Sequence, residues 1–235
     1  MDTELLKKSV YETCQIMLND SQLALLDKYT DLLLKWNEKV NLTAITDENE
    51  IIYKHFCDSL SVLKYVDING KSLIDIGTGA GFPGVPLNIA CDVNVTLLDS
   101  LNKRVTFLCS LINELGLKDI HAVHLRAEDG GSDPNYRHKY DFAVSRAVSK
   151  LNVLCEYCLP FVKKGGMFIA YKGPDIGGEI EEGNKAIAVL GGKYIKTENL
   201  NINGNGRSLV FIAKIKDTPP KYPRNAGLIS KNPIM

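Results

Sequence analysis

Leu73-Ile74-Asp75-Ile76-Gly77-Thr78-Gly79-Ala80-Gly81-Phe82-Pro83-Gly84 is the stretch that decides how the rest of the chain is read. A short apolar run passes directly into a glycine-rich turn and then into a helical pattern. Glycines at 77, 79 and 81 leave that turn without Cβ atoms, so the backbone can bend sharply and come close to a ligand. A second apolar run, Val93-Asn94-Val95-Thr96-Leu97-Leu98, ends in Asp99. A carboxylate about 20 residues beyond a strand–glycine–helix turn is the usual partner of ribose hydroxyls. The two markers together predict an adenosine-containing cofactor across the carboxyl ends of the first two strands of a parallel sheet.

The glycine spacing separates the candidate cofactors. A dinucleotide turn reads G-x-G-x-x-G, but the third glycine position here is Phe82, and the observed spacing is G-x-G-x-G. Phe82 and Pro83 put bulk where a pyrophosphate would approach the helix N-terminus. Asp75, just before the turn, is awkward beside phosphates and suits the ammonium of a methionine moiety. The arrangement resembles the class I methyltransferases that use S-adenosylmethionine. Asp99 is expected to serve the ribose and to have no other buried partner.

Outward from the turn, apolar strands and helical segments alternate from Ser72 onward, which predicts an α/β fold with a Rossmann-like, doubly wound and mainly parallel sheet. The expected strands are Val93–Leu98, Ile120–Leu125, Tyr140–Ser145, Gly166–Lys172, Lys193–Thr197 and Leu209–Lys214, the last two joined through Asn203-Gly204-Asn205-Gly206 as an antiparallel pair. Residues 130–139, rich in Gly, Ser, Asp, Pro and Asn, read as a flexible loop. Before the sheet, residues 3–19 and the run from Leu23 to Trp36 have helical periodicity, with Ser21 or Asp20 as the cap of the second helix. A third helix from Glu48 to Leu63 carries His55 and Asp58; Trp36 reads as core packing and His55 as a satisfied buried histidine. This gives an N-terminal helical extension (1–66), a cofactor-binding domain (67–217) and an extended basic C-terminal arm (218–235).

Composition narrows the class of protein. Lys+Arg and Asp+Glu are equal at 28 each, so net charge says nothing about nucleic acid. The distribution is uneven, with 7 basic and 11 acidic side chains in residues 1–66 but 6 and 1 in residues 203–235. A neutral protein with a basic end can present a phosphate-binding face. Cys155-Glu156-Tyr157-Cys158 matches C-x-x-C but lies in an apolar run without a second pair, so the six cysteines read as core thiols and no metal site is expected. The N-terminus lacks the basic start and apolar core of a signal peptide, and no apolar run approaches the ~20 residues of a membrane span. The expected location is the cytoplasm.

Several motifs agree in order and spacing with one family. Lys35-Trp36-Asn37 with Asn41-Leu42-Thr43-Ala44, His55, Asp58-Ser59-Leu60, Gly77–Gly84, Leu97-Leu98-Asp99-Ser100, Lys103-Arg104, Ala127-Glu128, Ser145-Arg146-Ala147, Lys172-Gly173 and Lys221-Tyr222-Pro223-Arg224 resemble the RsmG family, also called glucose-inhibited division protein B. The resemblance covers almost the whole chain. It implies methyl transfer from S-adenosylmethionine to N7 of one guanosine in 16S rRNA, with cofactor contacts at Gly77, Phe82, Ala127, Glu128 and Arg146.

The chemistry that is missing agrees with this. An exocyclic amine methylase carries D/N-P-P-Y/F after the fourth strand, where this chain has Ser145-Arg146-Ala147, and no cysteine stands in the strand-end context of a C5 nucleophile. Guanine N7 has an in-plane lone pair and no proton, so positioning suffices and no general base is expected. In this scheme Asp99 meets the ribose, Phe82 closes over the cofactor, Ala127-Glu128 border adenine, and Arg146 stands where cofactor and target meet. Lys172, Arg207, Lys221 and Arg224 are the candidate RNA contacts. The expected partner is 16S rRNA or the small ribosomal subunit, not DNA and not a membrane, with the chain acting as a monomer. The alternatives are a class I methyltransferase of another substrate, a ribosome-binding module with a vestigial cofactor pocket, and an NAD(P)-dependent oxidoreductase.

Overall fold

A computed structural model describes residues 1–146 and 149–235; Ala147 of the Ser145-Arg146-Ala147 motif lies outside the described residues. Helix α1 (Thr3–Cys14) starts at Asp2, whose carboxylate accepts from Leu5 N at 2.9 Å. Helix α2 (Asp20–Asn37) is capped by Asn19, upstream of the expected Asp20 or Ser21. Asn19 accepts from Gln22 N while the Gln22 side chain accepts from Asn19 N, a reciprocal box that satisfies two otherwise orphaned donors. Helix α3 spans residues 48–64 and changes pitch along its length. It is α-helical over Glu48–Ile51, a π-helix over Ile52–Cys57, α-helical again over Asp58–Leu60 and 3-10 over Ser61–Lys64. The wide π turn carries Lys54 and His55.

The sheet begins with β1 (Lys71–Ile76) and continues through α4 (Gly84–Ala90), β2 (Val93–Asp99), α5 (Asn102–Leu115) and β3 (Ile120–His124). A single turn, α6 (Ala127–Gly130), leads to β4 (Tyr140–Ser145), then α7 (Leu151–Cys158), β5 (Val162–Lys172) and α8 (Gly177–Val189). Strands β6 (Gly192–Ile202) and β7 (Asn205–Lys214) form a hairpin, and α9 (Ala226–Lys231) ends the chain's regular structure. Strand order is β3-β2-β1-β4-β5-β7-β6. β1 pairs in parallel with both β2 and β4, and β7 is antiparallel to β5 and β6. The winding therefore reverses between β1 and β4, which opens a crevice above their carboxyl ends, the usual ligand position in such sheets.

Strands β5, β6 and β7 run longer than the sequence predicts. Antiparallel pairing supplies hydrogen bonds to polar residues such as Lys196 and Asn199, which strand propensity alone does not favour. The hairpin turns at Asn203 and Gly204, with φ of 49° and 79°, as a two-residue type I′ loop requires.

Each sheet face buries its own core. One side packs Leu6, Leu26 and Phe56 of the N-terminal helices together with Phe107 and Leu108 of α5 against Val95 and Leu97. The other packs Leu154 and Cys155 of α7 and Ile187 of α8 against Ile74, Phe168 and Val210. Cys155 and Cys158 are free and fully buried. Cys109, expected with the core thiols, is exposed.

Two other expectations need correction. Residues 130–139 form successive turns pinned by Arg137, which donates to Gly131 O at 2.6 Å and Thr218 O at 2.6 Å. Residues 218–235 are not an extended arm: they fold back onto α7, with Ile229 fully buried. No helix among the described residues is long and apolar enough to cross a membrane.

Candidate active site

Two cavities open at the carboxyl edge of the sheet, on either side of the end of β4. The first, about 320 Å³, lies in the switch-point crevice and is lined by Ile76 and Gly77 after β1, Leu98 and Ser100 at the end of β2, Arg126, Ala127 and Glu128 after β3, Ser145 of β4, and Leu154 and Tyr157 of α7. Gly77 has φ of 70°, and a Cβ built there would meet nothing within 4 Å. Its backbone thus borders space that a side chain would occupy. Gly84 has the opposite reason to be glycine: a Cβ there would stand 2.4 Å from a Leu97 methyl and 3.0 Å from Asp75 Oδ2. One glycine keeps ligand space open, and the other lets α4 close against the sheet.

Two carboxylates shape the turn. Asp75 is fully buried, and its Oδ2 accepts from Thr78 Oγ1 at 2.7 Å and Gly84 N at 2.9 Å, whereas Oδ1 has no partner among the described residues. Burial pushes its pKa up to about 6, against the pull of the Thr78 and Gly84 hydrogen bonds. Asp99 is 2% exposed and already engaged: Oδ2 accepts from Gly79 N at 2.9 Å and Arg104 at 3.4 Å, and Oδ1 from Leu101 N at 2.9 Å. The expectation that it has no other buried partner is therefore corrected. Asp99 clamps the glycine turn to the end of β2, and its neighbours Leu98 and Ser100, rather than its own side chain, line the cavity.

The second cavity, about 420 Å³, is lined by Ile45, by Lys54 and His55 of α3, by Arg146 after β4, by Tyr171 and Lys172 at the end of β5, by Gly173, Pro174, Ile176 and Glu179, and by Arg207 of β7. Arg146 is held from one side by the π turn. It donates to Lys54 O at 3.0 Å, Asp58 Oδ2 at 3.1 Å and His55 Nδ1 at 3.1 Å, which accounts for three of a guanidinium's five donors. A guanidinium only donates, so His55 Nδ1 accepts and its Nε2–H points to Thr43 Oγ1, 2.9 Å away. Burial, with Arg146 beside it, lowers the His55 pKa to about 3. His55 is thus a neutral holder of Arg146 and not a proton acceptor near neutral pH. Asp58, 2% exposed, also pairs with Arg207 Nε at 3.2 Å, so one buried carboxylate ties together the arginine that follows β4 and one in β7. Lys172 donates to Ser149 O and Glu179 Oε2, each at 2.8 Å.

The sequence-predicted residues therefore divide. Gly77, Ala127 and Glu128 line the first cavity; Arg146, Lys172 and Arg207 line the second. Phe82 lines neither. Its ring is 3% exposed and lies parallel to His55 and Tyr29, with centroids 4.3 and 5.1 Å away. Tyr29 also donates to Ala80 O, so α2 braces the turn from outside. Lys221 is exposed, and its ammonium stands 5.2 Å from the centre of the Tyr222 ring. Arg224 is committed to Glu156, donating to its two oxygens at 2.8 and 2.6 Å. The sequence reading missed Ser100, Ser145, Tyr157 and Ala226 at the first cavity and Lys54 at the second. Ser100 and Ser145 carried a signal, because strand carboxyl ends line such crevices; the others are brought in by tertiary packing.

Comparison with known proteins places this geometry in context. Residues 22–210 match the GidB family model, described as rRNA small subunit methyltransferase G. A protein of Desulforamulus reducens named ribosomal RNA small subunit methyltransferase G is 49% identical over 99% of both chains. A relative of the same name from Alkaliphilus oremlandii is 53% identical over 93% of each chain. Among solved structures, the 16S rRNA (adenine(1408)-N(1))-methyltransferase of Catenulisporales acidiphilia with SAM superposes with a TM-score of 0.53 at 15% identity, covering 64% of this chain and 87% of that one. TYW2 from M. jannaschii in complex with AdoMet gives a TM-score of 0.52 at 15% identity, covering 85% of this chain and 79% of that one. At such identities the two structures speak for the shared fold alone.

Proposed function

Since the chain belongs to the rRNA small subunit methyltransferase G family, we propose that it transfers a methyl group from S-adenosylmethionine to N7 of a single guanosine of 16S rRNA. The observation that carries this reading is the pairing of two cavities at the end of β4. Ser145 lines the glycine-floored one, and Arg146, the next residue, lines the cationic one. The open space at Gly77 and the borders at Ala127 and Glu128 fit a nucleoside-bearing donor. In this reading Asp99 acts indirectly: it fixes the glycine turn, while its neighbours Leu98 and Ser100 border the bound nucleoside. When bound, S-adenosylmethionine supplies an electrophilic sulfonium methyl.

The second cavity receives the target nucleotide. Arg146, pinned by His55 and Asp58, has donors left for guanine O6 or a phosphate. Lys172 and Arg207 add positive charge on the β5 and β7 side, and Lys221, exposed on the C-terminal segment, is a separate candidate RNA contact. N7 carries no proton, so these residues orient and desolvate the base and need not remove anything from it. A His55 that is neutral and already engaged at both ring nitrogens agrees with a site that has no general base. The protein acts as a monomer in the cytoplasm on 16S rRNA, free or within the small subunit.

Single-turnover methyl transfer to rRNA across pH 6–9 tests the chemistry. The rate of the chemical step is expected to stay flat, because no essential base titrates in that range. A rate that climbs tenfold per pH unit would mean an amine or hydroxyl acceptor and would overturn the N7 reading.

A further inference from the structure

Residues 218–235 lie beyond the stretch matched by the family model, which ends at residue 210, yet they supply part of the first cavity. Ala226, the first residue of α9, lines it beside Glu128 and Tyr157. The segment is fastened on both sides of that residue. Upstream, Arg137 donates to the carbonyls of Thr218 at 2.6 Å, Pro219 at 3.3 Å and Tyr222 at 2.8 Å. Closer in, Glu156 of α7 accepts from Arg224 Nε at 2.8 Å, Nη2 at 2.6 Å and backbone N at 2.9 Å. Downstream, Ile229 is fully buried.

Glu156 has no exposed surface of its own. A carboxylate that deep is strongly destabilising unless paired, and the bidentate fork with an added backbone N–H is the geometry that satisfies it. The pair fixes the backbone of residue 224, two residues before the one that faces the cavity. Glu156 also sits between the cavity-lining residues Leu154 and Tyr157 on α7, so the same helix that forms one wall anchors the next.

We propose that the C-terminal segment is a fixed wall of the S-adenosylmethionine cavity, with Glu156 and Arg224 as its positioning residues. This rests on the cofactor reading above. It assigns Arg224 to cofactor binding through packing and removes it from the RNA-gripping set. The partly exposed Ala226 offers a substitution that leaves the anchors untouched.

Isothermal titration of the full chain with S-adenosylmethionine, for wild type and Ala226→Trp, decides the matter. The wall predicts at least a tenfold rise in the dissociation constant, with the melting temperature of the unliganded protein and its affinity for 16S rRNA both kept. Wild-type affinity in the variant overturns the wall. If the wild-type chain itself takes up no S-adenosylmethionine, the cofactor reading falls and the wall with it. Arg224→Met and Arg224→Lys give a second measurement. The KM for S-adenosylmethionine should rise more than the KM for RNA, with partial rescue by lysine. A melting temperature that falls while cofactor affinity of the folded protein is unchanged would make the pair merely structural and contradict the proposal.

Discussion

At the scale of single residues, the site depends on which charges are already spoken for. Asp99 was legible as a carboxylate at the end of β2, but its hydrogen bonds to Gly79, Leu101 and Arg104 depend on turn geometry that no spacing encodes. Asp99→Ala releases the clamp on the glycine turn and should weaken S-adenosylmethionine binding about 10- to 100-fold, or roughly 1.5–3 kcal/mol, through the displaced cavity floor. It should also lower the stability of the unliganded protein by about 1–3 kcal/mol, since buried donors lose their acceptor. Calorimetric titration and denaturant unfolding read the two effects; unchanged stability would mean that the clamp contributes nothing. His55 makes a prediction with a definite sign. Its pKa in the folded chain, about 3, lies below an unfolded value of about 6.5, so the unfolded chain takes up the proton first. Stability from this group is therefore complete above about pH 7 and declines as pH falls from about 6.5 toward 3. Asp75, raised to about 6, acts with the opposite sign, favouring the native state as pH falls toward the unfolded carboxylate value. His55→Gln removes only the first contribution. The stability advantage of the wild type over this variant should be smaller at pH 5 than at pH 8, and a difference independent of pH would contradict a neutral buried His55.

At the scale of elements, strand and helix existence was legible and the joins were not. Alternating apolar runs located all seven strands, because period and turn residues agree there with the final burial. Strand ends shifted where pairing rather than propensity sets the length, as in β6, and the α2 cap moved to Asn19 because its box with Gln22 satisfies more donors than Ser21 would. The π turn of α3 has no sequence signature, yet it brings Lys54 O and His55 Nδ1 to Arg146. The glycine turn separates two roles that looked alike in sequence. Gly84→Ala should destabilise the fold by about 1–3 kcal/mol, the usual cost of overpacking, because its methyl collides with Leu97. Gly77→Ala meets no atom but forces a side chain into positive φ, at a cost of roughly 1–2 kcal/mol, and places a methyl at the cavity. Its larger effect should fall on S-adenosylmethionine affinity. Thermal melts with and without cofactor distinguish the two; the reverse ranking would mean that Gly77 is a packing glycine.

At the scale of the whole molecule, charge proved less transparent than topology. The basic excess after residue 203 suggested one phosphate-gripping arm, but Arg224 neutralises Glu156, Lys214 is buried against the carbonyls of Leu159 and Leu190, and Arg207 shares Asp58 with Arg146. Counting cations along a chain cannot tell which are consumed internally, because their partners come from distant segments. The second cavity, next to the cofactor crevice, brings Lys54, Arg146, Lys172 and Arg207 together from α3, the end of β4, β5 and β7, each of them paired with a carboxylate. The N-terminal helices belong to the same construction, since Tyr29 and Phe56 pack around Phe82 and thereby support the turn that floors the first cavity. The central claim is that this arrangement delivers one methyl group to guanine N7. The most direct test is to incubate the purified chain with labelled S-adenosylmethionine and unmodified 16S rRNA or small subunits, digest the RNA, and identify and map the modified nucleoside. The account predicts 7-methylguanosine at a single position, and label on an exocyclic amine, a pyrimidine carbon or a ribose hydroxyl, or no transfer to either substrate, would contradict it.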